Sequence, residues 1–170
     1  MILHRNRSGM TLVEMIVAMT VLALLGAGLL TMLMQGVRGW GNGASDEAAN
    51  STATTALQRL SYDIREARSA TTDGSTLTVT FPLTLTDPAS HEVAYDMALN
   101  DPVTRSYYVS SGNLVRSVNG AITTLRRGVT SVSFVTAANS VEITVTATQQ
   151  LGTSVRTQQA MGRVTFRNYH

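Results

Sequence analysis

The chain has 170 residues, 44% of them hydrophobic, which is enough for one compact domain with an additional arm or anchor. All thirteen basic residues are arginine, and two of them, Arg5 and Arg7, precede Met10. Without residues 1–9 the chain has eleven arginines (thirteen less two) and eleven acids, so its charge gives no support for nucleic-acid binding. The absence of cysteine excludes disulfides and thiolate metal sites.

An apolar run extends from Met10 to Met34, includes Leu12 and Val13, and follows a short basic leader. Roughly twenty apolar residues cross a bilayer as a helix, so this run predicts a membrane-spanning segment. A secretory signal peptide has an apolar core of only about 7–15 residues, closed by a small-x-small cleavage site, and neither property fits. Glu14 is the one charged residue in the run, where an ionised group costs a few kcal/mol unless it is paired.

The segment Gly9-Met10-Thr11-Leu12-Val13-Glu14 resembles the prepilin-peptidase signal of type IV pilins and of the pseudopilins of type II secretion. The resemblance implies cleavage after Gly9 and methylation of the new amino group on Met10. It also implies that Glu14, the fifth residue after the cut, helps to dock each subunit into a growing filament. The usual first residue after the cut is Phe, so Met10 departs from the pattern, although other apolar residues occur there.

Cleavage would give Glu14 a cation to pair with, because it creates an amine on Met10. A pair within one helix is conceivable, since Glu14 lies one turn from that amine. The family implies a pair with the Met10 amine of a neighbouring subunit. The alternative is an interfacial glutamate that extends to the lipid headgroups at the positive end of the helix dipole. That alternative does not explain Gly9.

The stretch from residue 35 to residue 50 contains four glycines within eight positions, at Gly36, Gly39, Gly41 and Gly43. They cost roughly several kcal/mol in a helix interior, so the helix either breaks here or continues as a bendable segment. Ser45-Asp46-Glu47 resembles a new helix N-terminus. We expect a hinge; the alternative is a simple joint between an anchor and a separate domain. Trp40 is expected to anchor the chain at the bilayer edge.

Apolar residues at three- and four-residue spacing then predict an amphipathic helix to about Ala70. They are Ala53, Ala56, Leu57, Leu60, Ile64 and Ala67. A continuous helix from Met10 to Ala70 would be about 90 Å long. The charged residues near its end are predicted to form a solvated face with weak local pairs. They are Asp63, Arg65, Glu66 and Arg68.

After Ala70 the apolar period changes to two, which predicts β-strands. The alternating residues are Leu77, Val79 and Phe81, and later Val141, Ile143 and Val145; further strands are predicted within residues 92–95, 105–125, 129–135 and 155–168. Hairpin turns are predicted at Ser111-Gly112-Asn113 and Asn119-Gly120, one loop around Pro82, Asp87 and Pro88, and another at Asp101-Pro102. The predicted fold class is α+β, with a long pilin-like N-terminal α-helix packed on an antiparallel β-sheet head.

These patterns predict four segments of the chain. They are a leader peptide at 1–9, a transmembrane and filament-core helix at 10–35, a hinge with the amphipathic second half of the helix at 36–70, and a β-rich head at 71–170. The order of motifs in the head resembles minor pseudopilins, namely the J-class pseudopilin of type II secretion and the W-class minor pilin of type IV pili. The motifs are LQRLSYDIREA (57–67), EVAYDM (92–97), YYVSSGNLVR (107–116) and LRRGVTSVSF (125–134). This resemblance implies a minor subunit at the filament tip.

No catalytic constellation is present in the sequence. His4, His91 and His170 are scattered, and there is no nucleophile elbow, phosphate-binding loop or histidine pair at metal-ligand spacing. Four loop carboxylates could in principle converge on Ca²⁺, but their spacing favours solvated side chains. They are Asp87, Glu92, Asp96 and Asp101. We therefore expect no enzymatic activity, no metal and no cofactor.

The favoured hypothesis is a structural subunit that is made as a membrane-inserted precursor, cleaved, methylated and assembled into a type IV pilus or a type II secretion pseudopilus. The implied partners are prepilin peptidase, other pilin or pseudopilin subunits, the inner-membrane assembly platform and the lipid bilayer, with no nucleic acid. The implied location is the bacterial inner membrane with a periplasmic head, and then the filament. A single-pass membrane protein with a ligand- or partner-binding β domain is the second hypothesis, and a secreted hydrolase the third.

Overall fold

The computed structural model describes residues 11–86 and 93–167, which form one helix and ten strands. The helix is α1 (Leu12–Ile64); the strands are β1 (Ser69–Thr72), β2 (Leu77–Thr80), β3 (Pro82–Thr86), β4 (Val93–Asn100), β5 (Arg105–Ser110), β6 (Asn113–Val118), β7 (Ala121–Arg127), β8 (Val129–Ala137), β9 (Ser140–Leu151) and β10 (Ser154–Thr165). All strand pairs are antiparallel. The predicted α+β class, a long N-terminal helix followed by antiparallel sheets, is confirmed.

The strands form three sheets rather than one continuous meander. The largest has the order β1-β2-β5-β6-β7, the second has the order β10-β9-β8, and the third is the β3-β4 pair. Because β2 pairs directly with β5, the β3-β4 hairpin is an insertion between two neighbouring strands. Both long sheets place the predicted alternating residues, such as Val79 and Ile143, in the core.

Helix α1 continues through the glycine-rich stretch without a break. The chain nevertheless divides into two compact units between Gly41 and Asn42, within that stretch. Ser45 therefore lies inside the helix and does not begin a new one, so the predicted N-terminus at Ser45 is wrong. The Ser45 side chain is fully buried, and its hydroxyl donates to the Ser154 carbonyl at 3.5 Å. A small polar side chain fits here because a strand backbone lies against the helix.

The helix ends at Ile64, six residues earlier than predicted. The Ala67 N–H donates to the Ile64 carbonyl at 3.0 Å, which closes a tight turn. The Arg68 N–H then donates to the Thr80 carbonyl at 2.9 Å, and this bond begins the pairing of β1 with β2. Ala67 fits the helical spacing because its side chain is buried, although its backbone has already left the helix.

The second unit is held together by one face of α1 packed on the sheets. Ala53, Ala56, Leu60 and Ile64 are fully buried on that face, in one cluster with residues from most of the strands. Burying a large aliphatic side chain contributes roughly 1.5–3 kcal/mol, so Leu60 and Ile64 are strong attachments of helix to sheet. The alanines leave room for the backbone of the helix to approach the strands.

Two hairpins connect β5, β6 and β7. Ser111 and Gly112 have φ values of 50° and 72°, and Asn119 and Gly120 have values of 49° and 84°. Positive φ at both central residues is the type I′ turn that suits the twist of paired strands, so both predicted turns are confirmed.

The predicted loop around Pro82 is wrong in its first part, because Pro82 is the first residue of β3. Proline is tolerated at the first position of a strand, since its missing N–H removes no essential ladder bond there. Asp87 and Pro88, which belong to the same predicted loop, lie outside the described residues.

Candidate processing and assembly site

Thr11 and Glu14 form a reciprocal cap at the beginning of α1. The Thr11 N–H donates to Glu14 Oε2 at 2.9 Å, and the Thr11 hydroxyl donates to the same oxygen at 3.2 Å. In the other direction, the Glu14 N–H donates to Thr11 Oγ1 at 3.3 Å. This is a capping box, in which two helix-end N–H groups without intrahelical partners obtain acceptors. Sequence reasoning missed this role of Thr11, although the Thr-x-x-Glu spacing signals it.

The capping bonds give the Glu14 carboxylate hydrogen-bond donors, but they do not neutralise its negative charge. No arginine or histidine among the described residues forms an ion pair with Glu14. The charge lies near the positive end of the helix dipole, which is a modest stabilisation of about 0.3–1 kcal/mol. Among residues 11–86 and 93–167, the Glu14 carboxylate therefore has hydrogen-bond donors but no cationic partner.

The helix that follows is mostly apolar as far as Met34, and its side chains are exposed as far as Trp40. Leu12 and Val13 are 76% and 68% exposed, and Met34 is 63% exposed. By length and composition, α1 is able to cross a membrane. Large exposed apolar surfaces of this kind mark membrane or protein contacts.

Gly9 and Met10, the two residues of the predicted cleavage site, lie outside the described residues, as does the basic leader. Trp40 is 79% exposed at the end of the exposed apolar segment. Its position agrees with the expected interfacial anchor, which remains a prediction.

Of the charged residues at the end of α1, Arg65 is exposed as predicted, whereas three others contact partners on the sheets or beyond them. Asp63 accepts from Arg116 of β6 at 3.0 Å, and both side chains are largely covered. Glu66 pairs with Arg167 at 3.2 Å, and Arg68 donates to Asn100 at 3.0 Å. The sheets supply these partners, which the sequence spacing within one helix could not indicate.

Tyr107 lies close to this ionic group in the core. Burial raises its pKa to about 12, the Asp63 charge adds to the increase, and Arg105 and Arg116 oppose it. Its phenol ring is fully buried. The environment keeps the hydroxyl neutral across the physiological range and supports no acid–base role there.

Within residues 11–86 and 93–167, no three His, Asp or Glu side chains are grouped closely enough to hold a metal ion. Of the four carboxylates considered for Ca²⁺, Asp87 and Glu92 lie outside the described residues, together with His91. Asp101 accepts from the Val103 N–H at 2.9 Å and so closes its own turn.

Comparison with known families gives one finding. The prokaryotic N-terminal methylation motif matches residues 4–30, a range that contains the leader, the Gly9-Met10 junction, the Thr11–Glu14 cap and most of the apolar run. No curated protein and no solved structure is significantly similar to the chain. The motif supports a pilin-type precursor that is processed by prepilin peptidase, and the apolar helix fits anchoring in a membrane. The motif also indicates a structural subunit that assembles with other pilin subunits, rather than an enzyme.

Proposed function

We propose that this protein is a minor, tip-proximal subunit of a type IV pilus or a type II secretion pseudopilus. Prepilin peptidase cuts the precursor between Gly9 and Met10 and methylates Met10, and the assembly platform of the inner membrane then moves the subunit into the filament with its head outside the cytoplasm. The observation that carries this proposal is Glu14, an anion without a cationic partner in the described structure, at the start of an exposed apolar helix inside the methylation motif.

The apolar helix suits a subunit that lies first in the membrane and then in the filament. Every described side chain from Thr11 to Trp40 is exposed, so this segment needs an apolar environment at each stage. Lipid supplies it before assembly, and the apolar helices of neighbouring subunits supply it afterwards. In both environments the Glu14 charge remains expensive unless a cation approaches it.

Cleavage would supply that cation. In a chain cut before Met10, the new amino group is one residue before the Thr11 amide that already donates to Glu14. A subunit can pair this amine with its own Glu14 while it waits in the membrane. On assembly the Met10 amine of the next subunit replaces the subunit's own amine. Glu14 then fixes the axial register of the helices, which apolar contacts alone would specify only weakly.

Two substitutions separate the charge of Glu14 from its capping role. Glu14→Gln keeps an oxygen acceptor for the Thr11 N–H but removes the charge, whereas Thr11→Ala removes the hydroxyl cap, worth about 1 kcal/mol, and keeps the charge. We expect both variants to be inserted, cut and methylated, as intact-mass measurement on protein from the native host would report. Only Glu14→Gln should be missing from sheared filaments. Normal assembly of Glu14→Gln would disprove the electrostatic role.

Intact mass also tests the proposal as a whole. Loss of residues 1–9 and a gain of one methyl group are expected. An uncut chain would favour the second candidate, a single-pass membrane protein whose β-rich head binds a ligand or partner.

The proposal of a minor role is supported by the order of the four sequence motifs. In the structure, these motifs lie at the end of α1, in β4, in β5 and β6 with their turn, and at the junction of β7 with β8. A minor subunit should be present in far fewer copies than the main filament protein. Quantitative mass spectrometry of purified filaments measures this ratio, and a near-equal ratio would contradict the minor assignment.

We further propose that Gly36–Gly43 serves as the hinge between the filament-core segment and the head. The division of the chain between Gly41 and Asn42 supports this assignment. In the described part of the chain, Gly36, Gly39 and Gly43 have open space where a side chain would be, so packing within the subunit does not require glycine there.

A further inference from the structure

A groove of about 810 Å³ between α1 and β7 is lined by Arg59, Arg126 and Arg127, and no acid is among its described lining residues. We call it the arginine groove. The rest of its lining is mostly small or uncharged polar, including Thr52 and Gln149. Three guanidinium groups around one groove repel one another, so the arrangement is more favourable when an anion lies among them.

The fold holds two of these arginines in place without neutralising them. The register of β6 against β7 shifts between Leu114 and Val115, which leaves Leu125 without a partner across the ladder. The Arg59 guanidinium donates to the Leu125 carbonyl, and Arg126 Nη2 donates to Thr52 Oγ1 at 3.3 Å. Both acceptors are neutral, so both positive charges persist.

Several other arginines of the head are paired with acids. Four of them form ion pairs, namely Arg116, Arg156, Arg163 and Arg167. None of the three groove arginines is paired with an acid in the part of the chain that the structure describes. In addition, Arg126 Nε is buried there without a hydrogen-bond partner, which is costly unless a further acceptor enters.

We propose that the arginine groove binds carboxylate side chains of a neighbouring subunit in the filament, an inference that rests on the proposed function. Planar guanidinium groups recognise carboxylates through paired hydrogen bonds. A second copy of this chain would offer such carboxylates, since residues 87–101 contain four acids and no arginine. None of the described lining residues is aromatic, so the groove offers no ring on which a nucleobase could stack. The chain without residues 1–9 is also neutral, and both observations disfavour nucleic acid.

Photo-crosslinking in assembled filaments tests this contact. A photoreactive residue replaces Thr124, an exposed residue of the groove lining, in the full-length protein expressed in its host. The expected adduct joins the groove to a peptide that contains Asp or Glu and belongs to another subunit with the same leader signal. Arg59→Gln with Arg127→Gln should lower its yield about fivefold or more, as expected for the loss of two charge pairs.

Arg127→Gln alone provides a variant that leaves the fold intact, because the Arg127 side chain is exposed and forms no hydrogen bond or ion pair within the described residues. It should lower the yield by about twofold or more. Arg156→Gln with Arg163→Gln is the matched control, since these arginines already have acidic partners, and it should leave the yield unchanged.

The inference is overturned if the yield is insensitive to the groove arginines, if the adduct is nucleic acid, if the crosslinked peptide lacks carboxylates, or if no adduct forms. Intact mass of the same protein separates this failure from that of the proposed function. A cut and methylated subunit without the adduct refutes only the groove contact, whereas an uncut chain refutes both.

Discussion

Arg116 of β6 and Asp63 of α1 form a 3.0 Å ion pair that joins the end of the helix to the largest sheet. Their side chains are only 29% and 19% exposed, so solvent screens the interaction less than it would on the surface. The pair also lies close enough to influence the buried Tyr107. The end of α1 is therefore electrostatically coupled in the head to β5 and β6, which are distant from it in the chain.

Removal of one partner of this pair should destabilise the head. Asp63→Asn leaves Arg116 partly buried without its counter-charge, which we expect to cost about 1–3 kcal/mol of the free energy of unfolding. Urea unfolding of the detergent-solubilised full-length protein, followed by circular dichroism, measures this cost. Glu142→Gln is the control, because the Arg163–Glu142 pair is 67% and 48% exposed and should be worth less than about 1 kcal/mol. Equal costs for both variants would contradict the importance of burial.

Tyr107 should make the head unstable at high pH. Its folded-state pKa of about 12 is above the unfolded value of about 10, so the unfolded state loses its proton first as pH rises. The stabilisation is complete below about pH 10 and is lost between about pH 10 and 12, by on the order of 2–3 kcal/mol. The chain has no lysine or cysteine to obscure this transition.

Unfolding measured at a series of pH values, for the wild type and for Tyr107→Phe, provides the check. The Phe variant should lose most of the alkaline decrease in stability. Tyr62→Phe, at an 82% exposed site, should retain it. Identical pH profiles for the wild type and Tyr107→Phe would show that Tyr107 is not responsible.

Leu60→Ala should destabilise the head much more than Leu33→Ala, because Leu60 is buried and Leu33 is exposed on the same helix. Leu60 is fully buried against the sheets, so its truncation should cost about 2–5 kcal/mol of head stability. Leu33 is 58% exposed, and its truncation should leave urea unfolding of the head within about 0.5 kcal/mol of the wild type. A large loss for Leu33→Ala would contradict the division of the chain into two units.

Alanine at Gly36 and Gly39 should stiffen the proposed hinge. Both sites have space for a methyl group, and each exchange favours the helix by about 1 kcal/mol. Hydrogen exchange of the amides in this stretch should become slower in detergent, and filament incorporation should decrease if bending is required. Slower exchange with unchanged incorporation would show that these glycines are not needed as a hinge.

The sequence predicted what depends on local pattern and on chemistry carried by neighbouring residues. The alternation at Leu77 and Val79 indicated a strand that the structure contains, and Asn119-Gly120 indicated a turn that only a narrow set of residues can adopt. Local pattern failed at Ala67, where helical spacing continued past the true end of α1. The first bond between β1 and β2 decided that boundary, and its acceptor, Thr80, lies twelve residues after the donor Arg68.

The amino acid order by itself determined the processing signal, the apolar segment and the α+β class, because each follows from residues close together in the chain. Only the tertiary structure decided which charges meet. It brought Arg116 to Asp63 across 53 residues and placed Arg59, Arg126 and Arg127 around one groove, with no acid among the lining residues that the structure describes. Such pairings depend on how strands are ordered beside the helix, and no local pattern of residues contains that information.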